Sequence, residues 1–127
     1  MFQRNHTRTV QINGRDLEVV WTSAAQRALT LRTGDLYVEL ELYFSCLVKK
    51  FLHFRDQPRG QLQAVRAADR LCVYFRPVTS TACSPDEAEK LGRQPETEIE
   101  MPQATRLAPK KVRIDYRDGA WCGAFSM

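Results

Sequence analysis

The segment from Leu36 to Val48 constrains the fold most. Leu36, Val38, Leu40, Leu42, Phe44, Cys46 and Val48 occupy every second position, and Tyr37, Glu39, Glu41, Tyr43 and Ser45 stand between them. Alternation at period 2 marks a half-buried strand with one face toward a core and the other toward solvent. A helix through the same stretch gathers Leu36, Leu40, Tyr43, Phe44, Leu47, Val48 and Phe51 on one side, but it strands Val38, Leu42 and Leu52 on the polar side. The Val, Tyr and Phe content also favours the strand. The spacing therefore predicts one long strand over 36–48, with a bend or bulge near Lys49-Lys50.

Turn chemistry brackets further strands. Asn13-Gly14 separates Val10 and Ile12 from Leu17, Val19 and Trp21, which reads as a hairpin over 7–21. Asp118-Gly119 separates Val112, Ile114 and Tyr116 from Trp121, Gly123 and Phe125 in the same way. Ser23 suits the cap of a short helical turn through Ala24, Ala25 and Gln26. Residues 27–33 read as extended, with a turn at Thr33-Gly34-Asp35. Phe51 to Phe54 reads as a short extended piece, and 61–70 fits helix or strand. Leu71, Val73 and Phe75 alternate as a strand that Pro77 ends or places at an edge.

Residues 78–109 differ in composition and read as a long loop or insertion. Ser84-Pro85-Asp86-Glu87 has the cap, first-turn proline and acids of a helix start, and Gly92 suits its close, so a short helix is expected near 85–91. A short strand is expected at Glu98 to Met101. The whole chain, 1–127, reads as a single mainly β (or α+β) domain of antiparallel hairpins forming a small sandwich or an open barrel.

Bulk properties exclude several classes. Hydrophobic residues at 43% and charged residues at 27% fit a soluble globular domain rather than a disordered chain. No apolar run reaches membrane-spanning length. The first residues, Met1 to His6, lack an apolar leader core, and the C-terminus lacks a lipidation box, so a cytoplasmic location is expected. Cys46, Cys72, Cys83 and Cys122 have no zinc-knuckle or redox spacing and read as thiols, Cys83 being the one expected to be exposed. The phosphate-binding glycine loops, the nucleophile elbow and the H-E-x-x-H motif are missing, which disfavours ATP-driven, dinucleotide-dependent and common hydrolase chemistry. No cofactor and no metal ligand set is written locally. Catalytic residues stay unassigned.

Two surface rows attract notice. Tyr37, Glu39, Glu41 and Tyr43 share one side of the long strand, with the two carboxylates about 7 Å apart by the strand rise. Such a pair suits acid/base work and the tyrosines suit a stacking ligand, but an ordinary solvent face, each Glu opposite an Arg such as Arg32, is the expectation. As an interaction face the same row is compatible with a homodimer. Lys111, Arg113 and Arg117, with Arg106 and Lys110 nearby, form a basic row able to follow a phosphate backbone. The net charge is +4, while segment 84–100 carries six acids against two bases, so the remainder is distinctly basic and that segment is able to cover it. Trp121 and Phe125 read as core, with Gly123 making room for them. A Cys–His pair or a metal site assembled from distant ligands such as His53 is a three-dimensional matter that spacing does not address.

These features point first to a small non-enzymatic binding or interaction module whose partner is another protein or a second copy. Nucleic-acid binding through the basic β face is the alternative, and an enzyme whose site assembles only in three dimensions is the third. No membrane association is expected.

Overall fold

The computed structural model describes residues 5–44, 48–59, 64–80, 96–98 and 108–127. Among the described residues, nine strands and one helix follow in the order β1 (Asn5–Ile12), β2 (Arg15–Thr22), α1 (Ser23–Thr30), β3 (Leu36–Phe44), β4 (Val48–Arg55), β5 (Val65–Ala68), β6 (Leu71–Ser80), β7 (Glu96–Glu98), β8 (Lys111–Arg117) and β9 (Ala120–Ser126).

The two predicted Gly turns form as their chemistry requires. Asn13 and Gly14 have φ of 54° and 74°, and Asp118 and Gly119 have 51° and 78°. Left-handed backbone at both central residues matches the twist of the strands they join. The β1–β2 and β8–β9 hairpins follow in the expected register, with Val10 opposite Leu17 and Val112 opposite Phe125.

The strands make two sheets. The first has the order β1-β2-β8-β9; the second has β4-β3-β6-β5, with β7 also on β6. The hairpin pairings are antiparallel, but β2 runs parallel to β8 and β3 parallel to β6. The hairpins are antiparallel as expected, and the parallel pairs that join them make both sheets mixed. Each sheet joins hairpins from distant parts of the chain through one central parallel pair. Among the described residues the ladders stay in two sheets rather than closing into one barrel.

Apolar positions of both inner faces meet in one core. Leu17, Val19 and Trp21 of β2 and Val112 and Ile114 of β8 face Leu36, Val38, Leu40 and Leu42 of β3 and Leu71, Val73 and Phe75 of β6. Gly123 lets β4 come close to β9. A Cβ there would collide with the Arg113 carbonyl oxygen and stand 2.9 Å from Leu52 Cδ2. Phe125 is buried and Trp121 half-buried against the core.

Two local expectations change. The strand predicted over 36–48 is a hairpin: β3 ends at Phe44, and Phe44 pairs with Val48 as β4 returns antiparallel. Alternation carries on through the reversal, so the pattern alone reads as one strand. Residues 27–33, expected extended, mostly belong to α1. Its cap is Thr22, whose Oγ1 accepts from the Ala25 backbone N–H at 3.2 Å, and Ala25 and Leu29 bury its inner face. Four-residue spacing of two apolar residues outweighs the β-branched ends of that stretch. Within 61–70, the structure places strand β5 at Val65–Ala68. The expected helix near 85–91 lies outside the described residues. Strand β7 lies at Glu96–Glu98, and of the short strand expected at Glu98 to Met101, residues 99–101 lie outside the described residues.

Candidate functional site

The parity of β3 sends Leu36, Val38, Leu40 and Leu42 into the core and Tyr37, Glu39, Glu41 and Tyr43 to the opposite face of the second sheet. That face is not a solvent face. Glu39 and Glu41 have no exposed surface, and Tyr43, Cys72, Tyr74, Arg76 and Val78 beside them are buried too. The predicted exposed row is thus corrected: alternation identifies the side of the sheet but not what covers it. Part of the cover is the chain after β4, where the Arg59 backbone N–H donates to Tyr74 Oη at 2.9 Å.

Register brings the partners in. On β4, His53 lies opposite Glu39, and Arg55 opposite Tyr37. On β6, Tyr74 lies beside Glu39 and Arg76 beside Glu41. Tyr74 Oη donates to Glu39 Oε1 at 2.7 Å. Arg55 reaches the same carboxylate through Nε at 3.2 Å and Nη2 at 3.4 Å, and Arg76 Nη1 donates to Glu41 Oε1 at 3.3 Å. Burial and the bond to Glu39 push the Tyr74 phenol up to about 12, so it remains a donor. Burial works against the Arg55 charge, but its hydrogen bond to Glu39 holds the guanidinium above its ordinary range.

His53 completes the cluster. Its Nε2 lies 3.5 Å from Glu39 Oε2 and 3.6 Å from Glu41 Oε1. The atom is closed off from solvent and has no hydrogen-bond partner among the described residues, although the side chain as a whole is 29% exposed. One donor atom from each of Glu39, Glu41 and His53 lies within 4.8 Å of the others, a ligand set suited to a metal ion. Chain spacing did not bring out this set, because His53 reaches it across a hairpin. The usable signal was charge complementarity: once the chain reverses between Phe44 and Val48, His53 and Arg55 fall on the face of Glu39 and Glu41.

The basic row is assembled differently. Lys111, Arg113 and Arg117 are exposed on the outer face of β8, and Lys110 precedes it with its backbone N–H on the Ser126 carbonyl. Arg106 lies outside the described residues. The row is partly neutralised from its own sheet. Lys111 Nζ stands 3.9 Å from Glu18, and Arg117 Nε donates to Asp115 at 2.6 Å. Of the thiols, Cys72 is buried and Cys122 exposed, and burial pushes the Cys72 thiol up. Cys46 and Cys83 lie outside the described residues. No helix among the described residues is long and apolar enough to cross a membrane.

No family model, no curated protein and no solved structure matches this chain.

Proposed function

We propose that this chain is a small binding module whose ligand site is the cluster formed by Glu39, Glu41 and His53. One observation carries this: the His53 Nε2, buried and without a hydrogen-bond partner among the described residues, faces two fully buried carboxylates. An imidazole nitrogen lone pair and two carboxylates are all electron-pair donors. A guest that bridges them must accept electron pairs or supply N–H or O–H protons. Arg55, Tyr74 and Arg76 hold the two carboxylates in place, and the His53 side chain is partly exposed.

Polyanion binding through Lys111, Arg113 and Arg117 has less support, because Glu18 and Asp115 take up two of those charges.

The test is the stability of His53→Leu without ligand, measured by urea unfolding. An unpartnered buried polar atom costs about 1–3 kcal/mol, and a site kept for binding tolerates that cost. The variant is expected to unfold at higher urea than the parent. A clearly lower midpoint would make His53 a structural member of an ion-pair network and overturn the proposal.

A further inference from the structure

Resting on that binding reading, we propose that the guest of Glu39, Glu41 and His53 is a divalent transition-metal ion of the zinc class. One imidazole nitrogen and two carboxylates drawn together from three positions point to it. Ligands about 2.1 Å from a tetrahedral ion lie about 3.4 Å from one another. An ammonium hydrogen-bonded at about 2.8 Å needs its acceptors about 4.6 Å apart. His53 Nε2 stands 3.5 Å and 3.6 Å from its two carboxylate oxygens, near the spacing for the ion, and the three donor atoms all lie within 4.8 Å of one another.

Donor chemistry narrows the class. One imidazole with two carboxylates suits zinc, manganese or ferrous ions, whereas calcium and magnesium favour all-oxygen sets. Arg55 and Arg76 each donate to one of the two carboxylates. Their bonds measure 3.2 Å and 3.4 Å to Glu39 and 3.3 Å to Glu41, against about 2.7–2.9 Å for a close charge-assisted pair. The tight partner is Tyr74, at 2.7 Å on Glu39 Oε1, which leaves Oε2 toward His53. Tyr74, Arg55 and Arg76 thus take the place of the outer partners that orient ligating carboxylates in metal sites. Three protein ligands leave at least one coordination position of such an ion for a further ligand.

The experiment is calorimetric titration of the metal-stripped full chain with zinc sulfate, and separately with magnesium sulfate, followed by the same titrations of His53→Leu and Glu41→Gln. Circular dichroism confirms that each variant is folded. The expected result is one zinc per chain, no magnesium, and an affinity lowered by about 100-fold or more in His53→Leu. Glu41→Gln supplies the same answer if His53→Leu fails to fold. Zinc binding that survives both substitutions, as at the exposed thiol of Cys122, overturns the assignment. So does an absence of zinc binding by the parent chain. If zinc is not bound but His53→Leu is stabilised in urea, the metal falls while the cluster keeps a different guest. If His53→Leu is destabilised and zinc is not bound, both fall.

Discussion

Replacing Tyr74 by Phe removes the hydroxyl that donates to Glu39. The ring is fully buried, and its hydroxyl donates to a carboxylate that has no exposed surface. Hydrogen bonds to charged groups contribute about 1.5–3 kcal/mol. At 2.7 Å the bond to Glu39 belongs with the short charge-assisted kind. The second bond, from the Arg59 backbone N–H, ends on an exposed residue where water is able to replace it. The net loss is therefore about 2 kcal/mol. With an m-value of about 2 kcal/mol/M in urea, the midpoint falls by about 1 M, read from tryptophan fluorescence. The same bond has an alkaline signature. The phenol is pushed up to about 12 by burial and by Glu39. A raised value means the folded protein holds the proton more tightly than the unfolded chain does. The stability gained is complete below the ordinary tyrosine range near 10 and is lost as pH climbs toward 12. The gap between parent and Tyr74→Phe should therefore close over that interval. A midpoint shift below about 0.3 M, or a gap that stays constant from pH 9 to 12, refutes the reasoning.

Thr22→Val removes the cap of α1 together with the bond from Thr22 Oγ1 to Asp115 Oδ1 at 2.6 Å. The expected loss is about 2–4 kcal/mol in urea unfolding. Thr22, the Tyr116 N–H and Arg117 hold the Asp115 carboxyl below its ordinary value, so that stability is present above the usual carboxylate range and fades as pH falls through the lowered one. The deficit of Thr22→Val should shrink in acid, and a deficit unchanged at pH 3 would exclude the bond as its source. Gly123→Ala forces a methyl against the Arg113 carbonyl and Leu52, and a loss of about 2–3 kcal/mol or failure to fold is expected; a neutral outcome would show that the β4–β9 approach is loose. A labelled single-stranded oligonucleotide is expected to show no tight, salt-dependent binding. Affinity falling steeply with salt, with a slope reduced in Arg113→Ala, would revive the polyanion reading.

Local chemistry made part of this fold legible. Asn13-Gly14 and Asp118-Gly119 specify their hairpins because two successive left-handed residues are a short-range requirement. The alternation over 36–44 likewise identified the core side of β3. The reversal between Phe44 and Val48 escaped because apolar residues happen to keep period 2 across it. The parallel pairs β2–β8 and β3–β6 join segments far apart in the chain, and no local pattern encodes such a choice. Glu39 and Glu41 stood out as a pair, yet their burial depends on what lies over the sheet. His53 looked unremarkable between Leu52 and Phe54 because its importance comes from the strand opposite.

The claim that Glu39, Glu41 and His53 form a metal-binding cluster is tested most directly by anomalous diffraction at the zinc edge, from crystals grown with zinc chloride. The account predicts one strong peak about 2.1 Å from His53 Nε2 and from an oxygen of each glutamate. Zinc peaks only elsewhere, with Arg55 and Arg76 still holding the two carboxylates around an unmetallated His53, would contradict it.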